Sequence, residues 1–205
     1  MTCAFFGATV LVAPAFAQPI RTLDSPSTPE EQALQQARDT GQPVDVAGRT
    51  SEMEKLTALP DGQLALETAP VPVRVNRDGA FHDADLALVR SGGGIASRMS
   101  VNGVTFGLGG GDVLATMVKD GKSLTLTWPG GALPEPVLQG DSATYVDAAG
   151  AGLDIVVRST PTGWSHYIVV KTPEAAQNPA LERVTFGVRG SGVRLQRGAG
   201  GGVAA

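Results

Sequence analysis

Four Asx-Gly pairs set the grammar of this chain: Asp61-Gly62, Asp78-Gly79, Asn102-Gly103 and Asp120-Gly121. Such pairs suit two-residue hairpin turns, because both central positions tolerate positive φ. Their flanks alternate between apolar and polar residues. In "VPVRV", Val71, Val73 and Val75 share one face. In "SLTLTW", Leu124, Leu126 and Trp128 share one face, and Ser123, Thr125 and Thr127 the other. A period of two marks half-buried strands. Further on, "LDIVVRST" and "WSHYIVVKT" flank a Pro161–Gly163 turn and read as the longest hairpin. "RVTFGVRG" returns to a strand, and "PEAAQNPAL" suits a short helix. Strands joined by tight turns favour antiparallel pairing. The expected fold is mainly β: an antiparallel sandwich or barrel-like domain over residues 49–197, built from many short hairpin strands.

Composition agrees with this. Gly occurs 27 times in 205 residues, which is about double the ~7% of ordinary chains, and aromatics are only 5%. Hydrophobic residues at 42% suffice for a core. The net charge of −4 comes without basic blocks, so the footprint of nucleic-acid binding is missing.

The first 48 residues follow other rules. Residues 1–17, "MTCAFFGATVLVAPAFA", are apolar and uncharged and end in Ala15-Phe16-Ala17. That is the small-x-small pattern of a signal-peptidase site. No Lys or Arg precedes the run, so a basic start would lie upstream. A buried N-terminal strand is the alternative. The run is too short, and too broken by Pro14, to span a bilayer. Cleavage after Ala17 removes Cys3, the only cysteine, and with it any thiol nucleophile or thiolate metal site. The expectation is a secreted or cell-surface protein without a membrane span. Residues 18–48 form a polar leader carrying a helix at about 29–40. Thr28 is its N-cap, Pro29 its first residue, Glu31 completes a capping box and Gly41 stops it. Its apolar face of Ala33, Leu34 and Ala37 is thin. Residues 198–205 read as a flexible Gly/Ala tail or linker.

Each candidate for chemistry has a structural reading beside it. Ser142 in "GDSATYVD" has the Gly-Asp-Ser spelling of some serine hydrolases. It lacks the following glycines of an oxyanion loop and the Gly-x-Ser-x-Gly elbow. An Asp three residues before a catalytic His is also missing, because Gly163 and Gly79 precede His166 and His82 at that distance. Gly140, Asp141 and Ser142 are read instead as turn punctuation between two strands. His166 lies on a strand face with Trp164, Ile168 and Val170. His82, Asp78, Asp83 and Asp85 supply hard oxygen ligands, but the spacing fits no Ca²⁺ loop, and a solvated hairpin edge is the competing reading. Two distant histidines do not make a zinc site. "FGLGGGDVL" lacks the helix of a dinucleotide loop, and "DGKS" has Thr116 where a phosphate loop needs glycine. Trp128, Tyr145, Trp164 and Tyr167 could stack on sugar, or they could fill the core. No catalytic, cofactor-binding or metal-binding residue is assigned, and no cofactor is expected.

The stretch "LTWPGGALPEPVLQGDSATYVDAAGAGLDIVVRSTPTGWSHYIVVKTPEAAQNPAL" also carries a resemblance. Trp128-Pro129, Leu133-Pro134, Pro136, Gly140, Ala143-Thr144-Tyr145, Leu153-Asp154, Val156-Val157, Val169 to Lys171 and Asn178 to Leu181 are its main pieces. Upstream, "ARDTGQPVDV", "ALPDGQ" and "PVRVNRDGAFHDADLALV" join the pattern. In these residues the chain resembles the N-terminal region of large secreted actinobacterial proteins, which often continue into LamG-like jelly-roll domains or RHS/YD repeats. The resemblance implies a non-catalytic extracellular accessory module, with other domains of the same polypeptide as partners. It carries no catalytic motif. A carbohydrate- or cell-wall-binding module, with an extracellular glycan as partner, is the second expectation, and a serine hydrolase the third.

Overall fold

A computed structural model describes residues 27–197 and 203–204. The expected signal peptide, residues 1–17, and most of the expected tail, residues 198–205, lie outside the described residues. The fold is mainly β with antiparallel sheets throughout.

Helix α1 spans Pro29–Thr40, as its caps dictate. The Thr28 hydroxyl accepts from Glu31 N–H at 3.2 Å, and the Glu31 carboxylate accepts from Thr28 N–H at 2.9 Å. Gly41 closes the helix at φ 68°. The thin face is buried after all: Ala33 and Ala37 pack on Val46, Leu56 and Ala58. Those residues belong to a three-stranded sheet, β1 (Val44–Thr50), β2 (Glu54–Ala58) and β3 (Leu64–Thr68), in the order β1-β2-β3. The expected division between residues 48 and 49 therefore runs through β1. At about 0.8 kcal/mol per buried methylene, this alanine-rich layer is worth far less than the main core.

Strands β4 (Arg74–Arg77) and β5 (Ala80–Asp83) form a hairpin closed by Asp78 at φ 54° and Gly79 at φ 86°. The expected valine face is shorter than the sequence suggested. Pro72 has no N–H to offer a ladder, the strand begins only at Arg74, and Val71 is exposed while Val75 is buried. The Arg74 guanidinium is itself buried and donates to Glu67 on β3.

The main body is a two-layer sandwich. Strands β6 (Asp85–Ser91), β7 (Gly94–Met99), β8 (Val104–Phe106), β9 (Val113–Lys119) and β10 (Lys122–Thr127) run as a meander. Strands β11 (Val137–Gln139), β12 (Ser142–Gly150), β13 (Leu153–Thr160) and β14 (Gly163–Val170) form a second meander. Two 3₁₀ turns, Ala175–Gln177 and Pro179–Glu182, replace the expected short helix. Strand β15 (Gly187–Ser191) then returns beside β10, giving sheets of order β15-β10-β9-β8-β7-β6 and β11-β12-β13-β14. Short strands β16 (Gln196–Arg197) and β17 (Val203–Ala204) pair with each other.

The core lies between the two sheets. Leu88, Ile95, Val104, Phe106, Leu114, Ala115 and Leu126 come from one, and Ala143, Tyr145, Ile155 and Val157 from the other. In β9 the register slips at Leu114: Leu126 faces Ala115, but Thr127 faces Val113. This bulge accompanies complete burial of both Leu114 and Ala115. Asp120-Gly121 makes the expected hairpin turn, with φ of 51° and 72°. Asn102-Gly103 does not, because neither residue takes positive φ. The Asn102 amide instead donates to the Thr160 carbonyl at 2.7 Å, tying the β7–β8 connection to the β13–β14 turn.

Candidate functional site

The second sheet positions most of the residues singled out in the sequence. Residues β12 Ser142, β13 Arg158 and β14 Ser165 form one cross-strand row, and Ala143, Val157 and His166 form the next. Side chains alternate between faces along a strand. Ala143 and Val157 are core residues, so His166 points inward and Ser142 outward. Ser142 and His166 thus stand on opposite faces of the sheet. The Ser142 hydroxyl donates to Asp141 at 2.9 Å, and Arg158 Nε donates to the same carboxylate at 2.8 Å. Burial works to raise the Asp141 carboxyl. The hydrogen bonds from Arg158 and Ser142, with the guanidinium charge, outweigh it and hold the group below the usual carboxylate range. Asp141 is thereby an acceptor for a turn and an ion pair.

His166 rests against the edge of the Phe186 ring, with ring centroids 4.6 Å apart and planes at 73°. The ring stays exposed on one side, and its partial burial against Phe186 lowers its pKa, since the charged imidazole loses hydration there. His82 sits on β5 opposite Val75. Asp85 accepts from Arg98 and from Ala87 N–H, and Asp78 occupies its turn. Among the described residues, no three His, Cys, Asp or Glu side chains gather as metal ligands.

The glycine run closes on itself rather than opening to a ligand. Gly107 N–H donates to Leu114 O at 3.2 Å and Gly110 N–H to Leu133 O at 2.8 Å. A Cβ on Gly107 would lie 2.1 Å from Val113 O, and one on Gly109 2.5 Å from Pro134 O. These glycines permit backbone to meet backbone. In "DGKS", Asp120 and Gly121 are the β9–β10 turn, and Lys122 and Ser123 begin β10.

The four aromatics do not share a face. Tyr145 is wholly buried, and its hydroxyl donates to Gly107 O at 2.7 Å. Burial pushes that hydroxyl's pKa up. Trp128 is half-buried, donates to Ala148 O at 3.1 Å and packs on Phe186. Trp164 lies partly buried against the core. Tyr167 alone stands on the outer face, 46% exposed. Phe186, which touches both Trp128 and His166, carried no signal in the sequence, because nothing local marks a residue from a distant connection.

The outer face of this sheet is its least ordinary surface. Val137, Thr144, Val156 and Tyr167 line up across all four strands. Val137 is 59% exposed, and Val146 and Val169 flank the row, also exposed. At one end of the face Lys171 Nζ lies 2.7 Å from Asp147 and 2.8 Å from Asp154. The hydrogen bonds from Lys171 and from Gly152 N–H hold the Asp147 carboxyl below its usual range. No helix among the described residues is long and apolar enough to cross a membrane.

No family model, curated protein or solved structure matches this chain.

Proposed function

We propose that this chain is an exported, non-catalytic β-rich accessory module that acts as a structural or interaction segment. The outer face of the four-stranded sheet carries the reading. Val137, Val146, Tyr167 and Val169 are each exposed there around the buried Val156, and apolar side chains left exposed on one sheet face support a site of association. The apolar leader ending at Ala15-Phe16-Ala17 supports export. Other domains of the same secreted polypeptide are the partners this reading favours.

Two measurements test it. A reporter that is active only outside the cytoplasm, fused behind residues 1–26, is expected to be active, and a silent but intact reporter overturns export. The folded protein is expected to resist a fluorophosphonate probe, and labelling at Ser142 overturns the non-catalytic reading.

A further inference from the structure

Strand β14 lies at the end of its sheet, and among the described residues its outer edge has no strand partner. Natural edge strands are blunted by charge, proline, bulges or shortness. The other edges of the sandwich show these devices. Strand β6 carries Asp85 and Arg90 and a register shift. Strand β11 has three residues and follows Pro134 and Pro136. Strand β15 carries Arg189 and Gly190. Strand β14, "GWSHYIVV", has none of them: eight residues without a charge or proline, in unbroken register with β13.

The ladder fixes which groups are free. Lys171 N–H donates to Gly152 O. In the same register, the backbone groups of Ser165, Tyr167 and Val169 face β13. Those of Trp164, His166, Ile168 and Val170 therefore point outward. We propose that β14 pairs antiparallel with β14 of a second copy of this chain, across a two-fold axis at Tyr167, making one continuous sheet.

The occupant follows from self-complementarity. With the axis at Tyr167, His166 hydrogen-bonds to the partner's Ile168, and Trp164 to the partner's Val170. On the outer face Tyr167 meets its own copy, and Ser165 meets Val169. No like charges oppose. Moving the axis to His166 would set two imidazoles opposite each other on the inner face, which charge repulsion disfavours at low pH. The chosen register also continues the row Val137–Thr144–Val156–Tyr167 into its symmetry mate. This isologous arrangement is the commonest way for a soluble chain to self-associate. It deepens the interaction-module reading and rests on it for its use. Self-association is read separately from export and from labelling.

The test is the mass of the full chain by sedimentation equilibrium over a concentration series. The expected mass rises to twice that of the protomer. Tyr167→Lys places two like charges at the axis and returns the mass to one protomer, with an unchanged circular dichroism spectrum. As Cβ atoms directly opposite in such a pair are about 4.5–5.5 Å apart, Tyr167→Cys in a Cys3→Ser background is expected to form a covalent dimer on mild oxidation. Val146→Cys, on the same face but two strands further in, is expected not to. A protomer mass at every concentration overturns the proposal. So does a dimer that survives Tyr167→Lys, or one that Tyr167→Cys fails to trap. Pairing only with added foreign β-strand peptides, and not with itself, also overturns it.

Discussion

The hydroxyl of Tyr145 on β12 donates to the backbone carbonyl of Gly107, 2.7 Å away in the opposite sheet's β8–β9 connection. The bond crosses the core and pins one layer of the sandwich to the other. Tyr145→Phe keeps the ring but leaves that carbonyl without its partner. Net losses of this kind run about 1–3 kcal/mol, and the expected readout is a lower urea midpoint with an unchanged slope. A midpoint equal to the parent's would show that the hydroxyl contributes nothing to the joint.

The glycine run makes a sharper contrast. Alanine at Gly107 would set Cβ 2.1 Å from a backbone oxygen that cannot move cheaply, whereas alanine at Gly111 meets nothing within 4 Å and needs no positive φ. Gly107→Ala is therefore expected to destabilise strongly. Gly111→Ala is expected to be neutral, or stabilising by about 0.4–1 kcal/mol through the unfolded chain. Thermal melts of the two variants side by side decide this, and equal melts would remove close backbone approach as the reason for these glycines.

Much of this architecture was legible because its causes are local. The Thr28–Glu31 capping box, Pro29 and Gly41 define α1 to the residue, since each satisfies an orphan group of the helix end. The long β13–β14 hairpin and the Asp78-Gly79 and Asp120-Gly121 turns followed from short-range sterics. The partition of strands among five sheets did not, because hairpin rhythm is the same in every sheet. The turn at Gly92-Gly93, with φ of 57° and 85°, and the bulge at Leu114 also went unread. Of the candidate site, Gly140 and Asp141 were legible as a turn, but Ser142, expected in that turn, opens β12 instead, paired with Gln139 and Arg158. The outer row was not legible, since Val137, Thr144, Val156 and Tyr167 are brought together only by register.

Asn102 illustrates how tertiary context overrode a turn signal. Its amide bridges to Thr160 O across the β13–β14 turn, and Gly103 beside it would drive a Cβ to 2.4 Å from Val118 O. Asn102→Ala is expected to cost about 1 kcal/mol, and Gly103→Ala more. Hydrogen exchange gives a second readout. Protection near Thr160 and Gly163 is expected to fall in Asn102→Ala, and unchanged protection would mean that the bridge does not hold the turn.

Acid stability is expected to fall in two separate windows. The His166 pKa lies below its usual 6.5 because burial disfavours the charged ring. The folded protein thus binds this proton less readily than the unfolded chain. Stability is complete above about pH 6.5 and is lost as the pH drops from there through the folded pKa. Asp147 works in the lower window. Its carboxyl is held below the usual 3.8 by the hydrogen bonds from Lys171 and Gly152, so its contribution persists above that value and disappears as the pH falls through the depressed one. Urea midpoints measured from pH 8 to pH 2 separate the two. His166→Gln is expected to flatten the upper decline and leave the lower, and Asp147→Asn the reverse. If His166→Gln keeps the upper decline, the imidazole beside Phe186 is not its source.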